Sequence, residues 1–263
     1  MLVTTPTDFV LKYAPWSISK LNIAEQCPQR FYLQYVNKIK QKYEPNEDAL
    51  VGIATHKIME YLASGRPVDF CFNTVIQEFK LTTNEIDRVQ GFKTSATSFM
   101  RKFHKYMRIN KCTLPVMEQR LAIDFKGNAT PFFNPKGFMR GVIDLYTVFN
   151  KNKSALIIDH KTGKEHELDT YDSAFNVYML LLAAKIPTIT NVAVGINFLL
   201  TESVKLKNKG KRYDVTDKKK LTNNLVQLAN KQTRYTYNFN QCNVSPLCGW
   251  CDVKNRCQKY RKS

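Results

Sequence analysis

The 263 residues are 43% apolar and 24% charged, which excludes a disordered segment, and no apolar run approaches the roughly 20 residues that cross a bilayer. With 40 Lys and Arg against 22 Asp and Glu, the net charge of +18 favours a polyanionic partner, nucleic acid first, over acidic proteins or membrane surfaces. The N-terminus, MLVTTPTDFVLKYAPW, lacks a basic start followed by an unbroken apolar stretch, so no secretory signal is predicted. The expected location is the cytoplasm, or the host cytoplasm for a phage gene.

No repeat, Pro- or Ser-rich linker or low-complexity block interrupts the chain, which predicts one domain over residues 1–263. From Ser17 to Val36, Ile18, Leu21, Phe31 and Tyr35 fit an amphipathic helix with a break at Pro28. A second helix is expected from about Gly52 to Ala63. Thr82 and Glu85 of TTNE have the form of a capping box, and Ile86, Val89, Phe92, Ala96, Phe99 and Phe103 continue it as one long helix ending before Pro115. The period then shortens to two. Leu121, Ile123 and Phe125 alternate as in a strand, and residues 137–149 and 155–161 follow as strands joined by the turn-like NKNKS. Residues 171–185 return to helix, 189–200 to strand and about 217–231 to helix. Between the last two, KLKNKGKRYDVTDKKK (205–220) carries eight basic residues and predicts a polar hairpin or loop, facing either solvent or DNA. Helices followed by meandering strands, then helix and strand, predict an α/β fold with a mixed central sheet flanked by helices.

Asp144 falls inside a predicted strand between Ile143 and Leu145, where an uncompensated carboxylate is costly. If this strand neighbours 155–161, Asp144 and Asp159 come within the strand spacing of about 5 Å and repel unless a cation lies between them. An oxygen-rich site of that kind suits Mg²⁺ or Mn²⁺. Lys161 shares the face of Asp159, so its ammonium stands where negative charge would develop on a phosphodiester, whereas His160 points the other way. On the residues alone two readings stay open: a hydrolytic metal centre, or an Asp159–Lys161 ion pair with Asp144 satisfied by backbone donors. His56, placed to open the helix of Ile58, Met59 and Leu62, reads as a core or cap histidine or as an imidazole ligand.

Seven cysteines in a cytoplasmic chain argue against disulfides. The tail PLCGWCDVKNRC spaces Cys248, Cys251 and Cys257 so that three thiolates can surround one metal centre, and on spacing alone zinc is the favoured occupant. Cys71 and Cys112 read as packing or surface positions.

Four spaced blocks carry a family likeness: S-x-L-x5-C-P-x-R-F-Y at Ser19–Tyr32, G-x-x-x-H at Gly52–His56, G-x-I-D at Gly141–Asp144 and I-D-x-K-T-G at Ile158–Gly163. In this order they resemble the PD-(D/E)XK nucleases, within them the RecB/AddB-type exonuclease domains and the CRISPR-associated adaptation nucleases, over residues 17 to 257. The resemblance implies a restriction-endonuclease-like core with a helical insertion at about 52–110 and a cysteine cluster within 242–257. It implies Asp144, Asp159 and Lys161 as the catalytic triad, with His56 joining the two aspartates as a ligand of Mg²⁺ or Mn²⁺. At His160 the family uses the backbone carbonyl. Cys27 is implied as the fourth ligand, with Cys248, Cys251 and Cys257, of a [4Fe–4S] cluster joining the two ends of the chain. Zinc is its rival, and Cys242 is the alternative to Cys27. One motif departs: of Gln-x-x-x-Tyr on the helix after the lysine strand, Tyr178 supplies the auxiliary tyrosine but Ala174 stands in the glutamine's place, with Tyr171, Ser173 and Asn176 nearby.

The implied activity is that of a metal-dependent deoxyribonuclease, an exonuclease on single-stranded DNA or duplex ends in recombination, repair or phage DNA metabolism, working with a helicase or recombinase. The competing reading is a non-catalytic, nuclease-like DNA-binding accessory protein with a structural Fe–S or Zn site. Tyr32, Tyr35 and Trp250 are aromatics that would stack on bases if exposed and otherwise belong to the core.

Overall fold

The computed structural model describes residues 5–39, 45–234, 236, 238, 239 and 241–257, and all side chains among them except those of Leu247 and Trp250. The stacking expected of Trp250 therefore lies outside the described residues. In chain order the helices are α1 (Asp8–Lys12), α2 (Ile18–Gln26), α3 (Pro28–Phe31), α4 (Glu47–Ala63), α5 (Val68–Phe79), α6 (Thr83–Gly91), α7 (Lys93–Ile109), α8 (Asp172–Lys185) and α9 (Lys218–Thr233). The strands are β1 (Val116–Ile123), β2 (Ala129–Thr130), β3 (Met139–Phe149), β4 (Ser154–Lys161), β5 (Asn191–Phe198), β6 (Ser203–Leu206) and β7 (Tyr213–Asp214). Two compact units divide them: Met1–Glu44 with Ala122–Gly141 and Lys218–Ser263, and Pro45–Leu121 with Val142–Asp217.

In the second unit the strands lie in the order β1-β3-β4-β5-β6, with β7 on β5. β3 and β4 pair antiparallel from Leu145↔Ile158 to Phe149↔Ser154, across a turn in which Asn150, Lys151 and Asn152 all have positive φ. One further step of that register sets Asp144 opposite Asp159, which places both side chains on one face. β4 and β5 run parallel, joined by the crossover helix α8, and Ser154–His160 are buried throughout. That is why ALIID reads as an unbroken apolar run rather than an alternating one.

The helices α4 to α7 bury one face against the sheet, where Val51, Ile58, Phe72, Val89, Phe99 and Phe103 join Leu145, Phe149, Leu156 and Ile158 in one apolar cluster. α4 starts before the predicted Gly52, because the Asn46 side chain accepts a hydrogen bond from the Ala49 amide and Glu47 and Asp48 suit the positive helix end. His56 accordingly sits mid-helix and does not open it. The capping box of Thr82 and Glu85 forms as predicted. The long helix expected beyond it breaks at Phe92 into α6 and α7; Gly91 weakens the helix there, and Phe92 turns its ring into the same cluster as Val89 and Ala96. α5 lies within the helical insertion expected at about 52–110. β1 spans 116–123 instead of reaching Phe125, which lies beyond it in a turn and is 52% exposed. Within the basic stretch 205–220, the end of β6 and all of β7 pair with β5, and Lys205 and Lys207 are held by Glu165 and by Asp169 and Asp172.

In the first unit the predicted break at Pro28 is present: α2 ends at Gln26, and α3 passes into a π-helical turn over Tyr32–Val36. Trp16 is fully buried, donates from Nε1 to the Val10 carbonyl at 2.8 Å and stacks on Phe31. Tyr35 packs on Phe31 and Tyr32 on Phe239, and both are half-buried at the edge of this aromatic core. The C-terminal tail is fastened to the N-terminal helices, with Asn243 donating to the Gln26 carbonyl at 2.7 Å and Arg30 and Gln34 both donating to Asp252. Among the described residues no helix is long and apolar enough to cross a membrane.

A Cβ added at Gly195 would lie 2.6 Å from Leu206 Cδ2 and 2.7 Å from the Lys205 carbonyl oxygen. Gly195→Ala is therefore expected to push β6 off β5 and cost about 1–3 kcal/mol, read as a lower urea midpoint. An unchanged midpoint would show that β6 yields freely.

Candidate active site

Three neighbouring strands and one helix converge on a single polar site in the second unit. α4 brings His56, β1 Glu118, β3 Asp144, and β4 both Asp159 and Lys161. Ligand atoms of His56, Glu118 and Asp144 all lie within 4.8 Å of one another. His56 Nδ1 is 3.3 Å from Glu118 Oε1 and 3.6 Å from Asp144 Oδ2. Its Nε2 faces the backbone carbonyl of His160 at 3.1 Å. Asp144 Oδ2 also accepts from the His160 amide at 2.8 Å, so both peptide groups of that residue serve the site. The His160 ring does not: it is buried, takes a hydrogen bond from Asn197 and meets the edge of Phe99.

Asp159, expected as a metal ligand beside His56 and Asp144, stands next to this trio. Tyr178 donates to its Oδ1 at 3.3 Å, which places the auxiliary tyrosine at the site. Its Oδ2 is buried without a directed hydrogen bond and makes an ion contact of 2.5 Å with Lys161 Nζ. Lys161 is partly exposed and lies over the Tyr171 ring at 5.8 Å. Ala174, one turn before Tyr178, offers no polar group in the glutamine's place.

Glu118 was not legible in the sequence. The predicted strand began at Leu121, and Glu118 itself has φ +48°, a left-handed residue inside β1 that breaks the alternation and turns its carboxylate toward His56. No local motif announces such a kink.

The electrostatics follow from crowding like charges in a buried place. Burial raises the Asp144 carboxyl to about 7 with help from the Asp159 charge, against the opposing pull of His56, the His160 amide and Lys161. Burial alone would lower His56, but the Glu118 hydrogen bond and the charges of Asp144, Glu118 and Asp159 outweigh it and lift the imidazolium to about 9. Lys161 is likewise raised, its burial outweighed by Asp159 and Asp144. Burial pushes the Tyr178 hydroxyl up, and the charges of Asp159 and Asp144 push it further, so Tyr178 stays a hydrogen-bond donor. Carboxylates, an imidazole and a peptide carbonyl, with one carboxylate oxygen lacking a hydrogen bond, form a donor set that suits a hard divalent cation such as Mg²⁺ or Mn²⁺.

The cysteines gather in the first unit. Cys27, Cys242, Cys248, Cys251 and Cys257 line one small cavity of about 20 Å³ beside Arg30 and Leu33. Cys242, the expected alternative to Cys27, lies 3.7 Å from Cys257, and burial with the neighbouring Cys257 and Cys27 pushes its thiol up to about 12. Cys71 is packed in the second unit's apolar cluster with Cys112 against it, as their sequence reading predicted.

Residues 15–258 match the family described as the PD-(D/E)XK nuclease superfamily. The mixed sheet with flanking helices is consistent with that fold. No curated protein matches the chain. Among solved structures, one titled "Crystal structure of SSO0001" is 13% identical over 96% of each chain with a TM-score of 0.34, a likeness too low to bear on the fold.

Cation binding must displace the protons that His56 holds up to about 9 and Asp144 up to about 7. Mn²⁺ affinity of the metal-free protein, followed by the loss of the free-ion electron paramagnetic resonance signal, is expected to climb as pH rises from 6 through 7 toward 9. A flat profile would show that these two groups do not ligate.

Proposed function

Because this chain belongs to the PD-(D/E)XK nuclease superfamily, we propose that it is a divalent-metal-dependent deoxyribonuclease, an exonuclease acting on single-stranded DNA or DNA ends. The observation that carries this reading is the convergence of Asp144, Asp159, Glu118 and His56 around one place, with the Lys161 ammonium beside it. The four oxygen and nitrogen ligands would hold the cation, which when bound polarises a phosphodiester oxygen and acidifies the attacking water. Lys161 is anchored by Asp159 yet open enough to reach a scissile phosphate, where it offsets the charge that builds as water adds to phosphorus and the P–O bond breaks. Tyr178 fixes the rotation of the Asp159 carboxylate, and the His160 amide fixes that of Asp144. The net charge of +18 supplies attraction for the DNA.

The cysteine pocket supports a [4Fe–4S] cluster held by Cys27, Cys248, Cys251 and Cys257, with Cys242 at the same cavity. Its role is a staple between the first helices and the tail; closing so long a loop stabilises a fold by up to about 5 kcal/mol in chain-entropy models. A cytoplasmic role in recombination, repair or phage DNA metabolism, alongside a helicase or recombinase, fits this chemistry. The competing reading of a non-catalytic binder rests on Ala174 alone, while a buried carboxylate pair is costly to keep without chemistry that uses it.

Asp159→Ala and Lys161→Ala are each expected to slow digestion of end-labelled DNA in Mg²⁺ or Mn²⁺ by about 10²-fold or more, while DNA binding in chelator stays within about threefold of wild type. Wild-type cutting by Lys161→Ala would remove its assigned role. Cys251→Ser is expected to lose iron, the brown absorbance of anaerobically purified protein and several degrees of melting temperature. An unchanged melting temperature counts against the staple.

A further inference from the structure

The second unit carries a groove that the catalytic chemistry does not use. Its volume is about 880 Å³, and it is lined by Arg66, Arg101, Lys102, His104, Lys105 and Arg108, with no acidic residue among its lining. Leu62 and Met100 form its buried floor. Five of these six basic side chains come from α7, whose other face packs Ala96, Phe99 and Phe103 into the core. Arg101, Lys105 and Arg108 are spaced i, i+4, i+7, so they form one stripe roughly 10 Å long on the helix.

Several other cations of this unit are compensated. Arg88 pairs with Glu47 and Asp48, Lys93 with Asp69, Lys57 with Glu60, Lys205 with Glu165, and Lys207 with Asp169 and Asp172. No described acidic side chain pairs with Arg101, Lys102, Lys105 or Arg108, which stand exposed at mutually repelling spacings. A favourable helix C-terminus accounts for Arg108 near the end of α7 but not for Arg101 and Lys102 in its middle. On the opposite wall the Arg66 guanidinium lies 4.5 Å from the Tyr61 ring centroid and 5.6 Å from that of Phe70, which is 49% exposed. A cationic groove with an aromatic at its edge is the chemistry that tracks a single strand, charge on the phosphates and ring on the bases.

We propose that the α7 groove is a nucleic-acid binding site separate from the catalytic residues, holding the phosphodiester backbone of a single DNA strand. It extends the nuclease reading without needing cleavage, because it is tested in chelator.

The test is fluorescence anisotropy of an end-labelled single-stranded oligonucleotide of about 20 residues with the full chain, across a salt series. Arg101→Glu/Lys105→Glu is compared with Lys209→Glu/Lys211→Glu, an exposed pair whose reversal changes net charge equally. The groove variant is expected to lose at least about tenfold in affinity at moderate salt, and the steepness of the log–log salt dependence to fall by about 0.7 for each phosphate contact removed. The control is expected to lose less than about threefold. Equal losses in the two variants, or none in the groove variant, overturn the site. So does displacement of wild-type-bound DNA by polyglutamate as readily as by unlabelled DNA, which would make the groove a docking face for an acidic protein. If the reversed pair fails to fold, Arg101→Gln/Lys105→Gln carries the same comparison, with a smaller loss expected. Cleavage of end-labelled DNA is measured separately, so an active enzyme with unaltered groove binding would sink this proposal alone, and an inactive one that binds through the groove would sink only the nuclease reading.

Discussion

Two aspartates facing one another across β3 and β4 set the terms for everything around them. Asp144 is 8% and Asp159 3% exposed, so neither can rely on water to screen their mutual repulsion. Each charge is met by a separate device. Asp144 has the His160 amide and the His56 imidazolium; Asp159 has the Tyr178 hydroxyl and the Lys161 ammonium. These partners come from α4, α8 and the sheet itself, so the packing of both helices is bound up with the electrostatics of one strand pair. The apolar cluster beneath α4 fixes where His56 can stand, and the α8 crossover fixes Tyr178.

The first unit solves a different problem. Its N-terminal helices α1, α2 and α3 are short, and the tail is tied to them by the Asn243 and Arg30 hydrogen bonds beside the Trp16–Phe31 stack. Five thiols converge where those ties leave a small cavity. A link there would join parts of the sequence more than 200 residues apart, the circumstance in which a crosslink has most effect.

The parts of this molecule that follow a local rule were readable from the sequence. The strand of Asp159 was marked by an apolar run ending in charges, the α6 capping box by TTNE, and the break after α2 by Pro28. What could not be read depends on exceptions or on tertiary pairing. Glu118 reaches the site only through one left-handed residue, and the split between α6 and α7 follows from where Phe92 finds its cavity. The lysines of 205–220 form the densest basic run in sequence, yet two of them are neutralised by acids from other segments, whereas Arg101, Lys102, Lys105 and Arg108 of α7 pair with no described acid. A count along the chain cannot see which charges tertiary structure has already cancelled.

The turn between β3 and β4 has a consequence beyond its own three residues. Asn150, Lys151 and Asn152 all adopt left-handed backbone, a conformation that fixes how many residues the reversal consumes. Strand side chains alternate sides, so a reversal one residue longer or shorter would leave the sheet paired but send one aspartate to the far surface. The spacing of the chemistry is thus set by a solvent-facing hairpin tip that touches none of it, and tolerance of insertions, ordinarily high at such tips, should vanish at this one.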